Sequence, residues 1–193
     1  MIVMFNLTVY FERHFRKEYQ KGRKASKVVE KFGAFKGLDK SLINKMCLGV
    51  QIYKIGYIGL SREITQKLKN NEQLTKEEIL EYRRYPKKGI EILASKYQKK
   101  YDNSVVAGII REHKERLDGC GYPSRISGET ILETTYISSV CINFVEKFSQ
   151  GKTILKIVEE LELDEGFVPE ELKKEFLEFL SQKSDEINEI LNS

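Results

Sequence analysis

Histidine is nearly absent: the 193-residue chain holds two, His14 and His113. Neutral imidazole is the commonest nitrogen donor to zinc, iron and related ions near pH 7. Two of them cannot furnish a multi-histidine metal centre, whatever the fold. Cysteine is also scarce. Cys47, Cys120 and Cys141 are odd in number and far apart, which argues against a disulfide framework or a zinc knuckle and for reduced thiols in a cytoplasmic protein. Long apolar runs are missing as well. The stretch from Met1 to Phe11 is interrupted by Asn6 and Thr8, is too short to span a bilayer, and lacks the basic leader and small-residue cleavage site of a secretory signal. No membrane partner is expected. Sustained apolar–polar alternation is absent too, so a sheet is not expected.

What is present is a globular composition, 40% hydrophobic and 32% charged, with 33 basic and 29 acidic residues. The net charge of +4 is modest. Basic runs occur at Lys21, Arg23, Lys24 and Lys27 and again at Arg83, Arg84, Lys87 and Lys88. Nucleic-acid binding would need such charges gathered on one face with aromatics for stacking. They read instead as a solvated face, and a nucleic-acid partner is not expected.

Apolar residues recur at three- and four-residue spacing, which predicts an all-α fold in one compact helical domain, 1–193. Val28, Val29, Phe32 and Phe35 mark an amphipathic helix in the N-terminal part, 1–36. Leu42, Ile43, Met46 and Val50 form a stripe after Asp39 or Ser41 as cap. Thr75 and Glu78 have the form of a capping box, here opening a helix over 78–84, and Pro86 suits the first turn of the next helix. Asp102 or Ser104 can cap a helix carrying Val105, Val106, Ile109, Ile110 and His113. After a glycine-rich loop, a long helix is expected from about Thr130 to Phe148, another over 154–163, and a final pair after Pro169 and Ser181.

The stretch from Glu112 to Pro123 reads EHKERLDGCGYP. It resembles the HHExxDGxGYP signature of the HD-GYP family, with His113, Glu115, Asp118, Gly119, Gly121, Tyr122 and Pro123 matching and Lys114 replacing the second histidine. Tyr53 to Gly56 is similar to the family's HDIGKIG segment. Tyr85-Pro86 with Gly89 to Leu93 is similar to its KKHPxxGxxIL segment. The resemblance is best over 37–149 and looser in the C-terminal helices, 150–193. It implies an HD-GYP-like helical bundle related to metal-dependent cyclic di-GMP phosphodiesterases, in which metals activate a water against phosphorus.

Most of the metal ligands that the resemblance implies are missing. The His-Asp pair corresponds to Val50-Gln51, the histidine before proline to Tyr85, and the aspartate of the long helix to Ile142 or its neighbour. No histidine stands around Tyr19 to Lys21. Only His113 remains at a ligand position, so no metal, no cofactor and no catalytic residue is expected, with Glu112, Glu115 and Asp118 more apt to brace the loop than to ligate. Lys54 matches a family lysine that contacts phosphate, though the residue itself is equally readable as a surface charge beside a lost site. Of the family's phosphate-gripping basic pair only Lys152 is represented.

The favoured expectation is a regulatory interaction module that meets a signalling protein, such as a diguanylate cyclase domain, through Arg116, Tyr122 and Pro123. A second is a cyclic di-GMP or nucleotide sensor that does not hydrolyse, holding phosphates with Lys54, Lys114 and Arg116. A third is a residual phosphodiesterase using His113 as acid or base, its pKa raised by Glu112 and Glu115. A self-pairing structural protein is a more remote fourth.

Overall fold

Arg16–Phe35 forms helix α2, and one of its faces carries Tyr19, Gly22, Ala25, Val28, Val29, Phe32 and Gly33, all buried. Their three- and four-residue spacing is the expected apolar stripe. In the computed structural model, which describes residues 2–97 and 104–193, the other helices gather around this one. In chain order they are α1 (Ile2–His14), α3 (Lys40–Gln51), a 3-10 turn (Ile55–Gly59), α4 (Arg62–Asn70), α5 (Lys76–Tyr82), α6 (Tyr85–Tyr97), α7 (Ser104–Glu112), a second 3-10 turn (Gly128–Thr130), α8 (Glu133–Ser149), α9 (Ile154–Leu163), α10 (Glu170–Gln182) and α11 (Ser184–Asn192). No strand occurs among the described residues.

The caps follow the expected chemistry. Asp39 accepts from the amides of Ser41 and Leu42 and opens α3. Thr75 and Glu78 form a complete capping box, so α5 begins at Lys76, directly after its cap, and not at Glu78. Helix α8 begins at Glu133, later than the expected Thr130, because Gly128 takes φ +58° and the next residues close a 3-10 turn. Ser104 is the first residue of α7, and Asp102 lies outside the described residues. Two helices went unrecognised in the sequence, α1 and α4. The second is punctuated by ordinary signals: Ser61 Oγ caps Ile64 N at 3.4 Å, and Asn71 ends the helix with φ +56°.

Two apolar clusters result. The larger joins α2, α3 and α8 to the C-terminal helices, with Phe32 against Phe176 at 5.0 Å and Phe179 at 5.1 Å between ring centroids. The second lies among α1, the first 3-10 turn, α4, α6 and α7 and includes Phe11, Ile55, Tyr57, Ile64, Tyr85 and Ile110. Two close backbone approaches fix the seam between them. A Cβ on Gly22 would stand 2.5 Å from the Gln51 carbonyl oxygen, so α2 rides directly on the end of α3. A Cβ on Gly56 would overlap the Tyr85 carbonyl oxygen and reach 2.7 Å from Gly89 N, so the 3-10 turn and the start of α6 touch main chain to main chain.

This contact makes a clean test. Gly56→Ala is expected to cost at least about 3 kcal/mol, since no flexible side chain can give way. Gly37→Ala, whose added methyl meets nothing within 4 Å but whose φ is +70°, is expected to cost only about 1 kcal/mol. Urea unfolding of both variants reads the contrast.

Candidate functional site

The positions singled out by the HD-GYP resemblance converge at that seam, but with different chemistry. Gln51 Nε2 donates to Tyr19 OH at 3.0 Å, linking the end of α3 to α2. Val50 and Ile142 are core residues with 0% and 1% exposure, and neither offers a lone pair. Tyr85 OH and His113 Nε2 are hydrogen-bonded at 2.6 Å. Around them stand Tyr53, Tyr57, Tyr82 and Tyr122, the first two edge-on to His113 and Tyr85 respectively, each at 4.9 Å.

The centre of the site is Glu146, one turn beyond Ile142 on α8. Its Oε2 meets Lys114 Nζ at 2.5 Å, and its Oε1 meets Lys54 Nζ at 2.8 Å and accepts from Tyr53 OH at 2.9 Å. Lys54 also meets Glu18 Oε2 at 2.5 Å, and Glu18 Oε1 meets Lys21 at 2.9 Å. Charges of opposite sign therefore alternate through Lys21, Glu18, Lys54, Glu146 and Lys114. Burial by itself would push the Glu146 carboxyl up, but Lys114 and Lys54 outweigh it and hold the group well below the usual carboxylate range. Burial would likewise pull Lys54 down, yet the carboxylates, Glu146 foremost, carry it well above its ordinary value. Lys54 is thus not the surface charge that one reading of the sequence allowed; its side chain is 7% exposed. Neither Glu146 nor Glu18 was singled out in the sequence. The available signal was a carboxylate on a helix face otherwise made of Ser138, Ile142 and Val145, all buried.

His113 contradicts the expectation of a raised pKa. Burial dominates, the positive charge of Lys114 adds to it, and the imidazole is pushed down to about 3. Its Nδ1 lies 2.9 Å from the Ile109 carbonyl oxygen and therefore donates, which leaves Nε2 to accept from Tyr85 OH. Glu112 turns away to Arg111 at 2.5 Å, and Glu115 accepts from Ser124 N at 2.6 Å. The ring is a neutral, fully engaged core residue.

The signature loop adjoins this centre, with Arg116, Gly121 and Tyr122 lining one small cavity with His113 and Lys114, and is braced by its own bonds. Gly119 takes φ +74°, and a Cβ on Gly121 would reach 2.5 Å from Glu115 Cα. Tyr122 N donates to Lys114 O at 3.0 Å, and Leu117 N and Asp118 N donate to Phe167 O and Gly166 O, both at 3.1 Å. Arg116 is clamped between Asp118 at 2.9 Å and Asp164 at 2.6 Å, so it is not a free surface cation. Asp118 and Glu115 brace the loop, as expected. Tyr122 packs inward beneath Arg83, whose guanidinium lies 5.6 Å from the ring centroid, and Pro123 is half-buried. Of the singled-out residues, Lys54, His113 and Lys114 come together around Glu146, while Arg116, Asp118, Gly119, Gly121, Tyr122 and Pro123 form the loop beside them, with Tyr122 6.5 Å from Tyr85 between ring centroids.

The metal ions implied by the family do not fit these side chains. Two ammonium groups point into the place where cations would sit, the one imidazole has its lone pair taken by Tyr85, and among the described residues no three His, Cys, Asp or Glu side chains converge.

Two measurements probe the site. Lys54→Met leaves Glu18 and Glu146 facing each other and is expected to cost about 3–5 kcal/mol in urea unfolding. Adding Glu146→Leu to it should recover part of that loss, so the double change costs less than the sum of the single ones. Stability should also fall with acid before the carboxylates titrate. His113 stays neutral in the folded chain down to about pH 3 while the unfolded chain binds a proton near pH 6.5, so the unfolded state holds more protons. Between about pH 6.5 and about pH 4.5 the slope should approach about 1.4 kcal/mol per pH unit. His113→Gln should flatten it.

The likeness to known proteins agrees with this architecture. The sequence profile of the HD domain family matches residues 11–151. The cyclic di-GMP phosphodiesterase PdeB of Borreliella burgdorferi is 26% identical over 133 residues, which are 64% of this chain and 33% of that protein. Bd1817, an HDG"Y"P protein from Bdellovibrio bacteriovorus, superposes with a TM-score of 0.66 at 18% identity, over 83% of this chain and 51% of that one. The chain therefore spans about a third of the length of the first and about half of the second. No helix among the described residues is long and apolar enough to cross a membrane. With its helical bundle, its signature loop and a profile match over most of its length, this chain belongs to the HD domain family as an HD-GYP-like member.

Proposed function

We propose that this chain is a single-domain, non-hydrolysing HD-GYP-like regulatory module that acts in cyclic-dinucleotide signalling in the cytoplasm, through contacts with a signalling protein such as a diguanylate cyclase domain. The observation that carries the reading is Glu146 bridging Lys54 and Lys114 at 2.8 and 2.5 Å. Two-metal hydrolysis needs electron-pair donors around a pair of cations. Here tethered ammonium groups supply the positive charge, and they can neither ligate nor activate a water. A residual phosphodiesterase working through His113 is disfavoured by the same geometry, since the imidazole neither charges near neutral pH nor has a nitrogen to spare.

The loop retains its bracing without the chemistry, and this favours a role in contact. Its outer face joins Pro123 to Arg84, Lys87 and Lys88 at the start of α6, around a shallow cleft of about 510 Å³. Arg84, Lys87 and Arg125 are exposed. A sensor that grips cyclic di-GMP with Lys54, Lys114 and Arg116 is less favoured, because each of these cations already has carboxylate partners that a phosphate would have to displace.

Two assays on the full chain test the reading. Protein purified without chelator should contain less than stoichiometric iron, manganese or zinc and should not turn over cyclic di-GMP; stoichiometric metal with turnover sinks the proposal. Capture of a diguanylate cyclase domain should be lost on combining Arg84→Glu with Arg125→Glu while the circular dichroism spectrum stays unchanged. Undiminished capture by that variant would remove the loop face from the interaction.

A further inference from the structure

Helices α10 and α11 are separated by one residue. Lys183 closes the first and opens the second, with φ −118° and ψ 24°. The break has no local cause. Gln182-Lys183-Ser184 contains neither of the residues at which helices ordinarily kink, proline and glycine, and Ser181, the expected start of the last helix, lies inside α10. The ladder bonds flanking the joint persist, Lys183 N to Phe179 O at 2.9 Å and Ile187 N to Lys183 O at 3.0 Å. Between them, the amides of Ser184, Asp185 and Glu186 find no backbone carbonyl among the described residues, and no side chain caps them. The apolar pattern also runs straight through. On one helix turning about 100° per residue, Phe176, Phe179, Leu180, Ile187, Ile190 and Leu191 fall within about 120° of one another. All six are buried, and Lys183 falls inside the same arc.

The bend is therefore held by what α11 rests on. Helix α11 lies against α2 and buries Ile187, Ile190 and Leu191. Its polar ties are three. Lys31 Nζ meets Glu186 Oε2 at 2.8 Å, Lys24 Nζ donates to Leu191 O at 2.5 Å, and Lys27 Nζ donates to Ser193 Oγ at 3.3 Å. Lys27 and Lys31 are exposed, so water competes for both of their bonds. An open cleft of about 280 Å³ also lies beside Ser193, lined by Gln20, Arg23, Lys24 and Lys27. A short helix with three apolar anchors thus keeps three helical hydrogen bonds from forming at the joint.

We infer that two copies of this chain exchange α11: Lys183 turns helical, α10 and α11 become one straight helix, and the α11 of each copy takes the seat on α2 of the other. Every contact of α11 in the bent form is remade between copies, and the amides of Ser184, Asp185 and Glu186 gain carbonyl partners in both joints. The opposing cost is the freedom lost on association, so concentration sets which form dominates. Because the same element is traded both ways about a twofold axis, the exchange closes at a dimer and does not grow into a fibre. None of the residues at the joint or in the seat belongs to the signature loop or to the charges around Glu146, so the inference stands apart from the proposed function.

Light scattering on the full chain, incubated over a range of concentrations, tests it. A dimer is expected whose share rises with concentration. Lys183 is exposed, so Lys183→Ala and Lys183→Gly leave the packing of the bent form in place. Glycine disfavours a helix by roughly five-fold against alanine at one joint, and the exchanged dimer has two, so the alanine variant should dimerise about 25-fold more tightly. A second measurement reads the exchange itself. Lys31→Glu in one preparation and Glu186→Lys in another each set like charges across their own seat, and only exchange between the two restores opposite charges. Native mass spectrometry of the mixture should find the mixed dimer above its statistical half. Leu163→Glu, on the exposed side of α9, should leave the dimer unchanged. A chain that stays monomeric at every concentration even with Lys183→Ala overturns the proposal. So does a dimer indifferent to alanine or glycine at the joint, a mixed dimer at no more than the statistical half, or a dimer abolished by Leu163→Glu.

Discussion

Glu146 can remain ionised among helices only because Lys54 and Lys114 reach it at 2.8 and 2.5 Å and Tyr53 donates a further hydrogen bond. A buried carboxylate without such partners would take up a proton or unfold its surroundings. The demand spreads outward. Lys54 needs Glu18 as well, Glu18 needs Lys21, and so the 3-10 turn, α2, α7 and α8 are tied through one set of charges. Of the tyrosines beside the set, Tyr53 gives its hydroxyl to Glu146, while Tyr57 pairs with Tyr82 and Tyr85 with His113. A bound metal ion in a helical bundle joins several elements in this way, and here the side chains join them directly.

The fold was largely open to reading from the residues, because its signals are local. Asp39 and the Thr75–Glu78 box mark helix starts by hydrogen bonds within a few residues, Pro86 marks one by its fixed φ and missing donor, and the stripe Val28, Val29, Phe32 records which face is buried. Helix α1 escaped notice because its composition is apolar with little amphipathic contrast, and α4 because it is short and strongly charged. The loop was legible through its resemblance to the HD-GYP signature, carried by Asp118, Gly119, Gly121 and Tyr122.

The site was legible only by subtraction. Missing histidines at 50, 85 and 114 say what is not there, but the replacing interaction joins residues 18, 54, 114 and 146, and pairings across such separations leave no periodic trace. His113 shows the same limit. Its sequence neighbours Glu112 and Glu115 suggested a proton-holding imidazole, yet in space it faces Tyr85, Tyr53 and the ammonium of Lys114, and burial decides its state. Adjacency along the chain was a poor guide to the field the ring feels.

The fastening of the loop has a consequence for how the domain can be taken apart. Leu117 and Asp118 hang from the carbonyls of Phe167 and Gly166, and Arg116 grips Asp164, so the loop rests on a strap supplied by the connection between α9 and α10. That strap lies beyond residue 151, where the family profile ends. The part that the profile covers therefore does not hold the loop by itself. A graft of the loop onto another scaffold would have to bring along 164–168 to hold its shape.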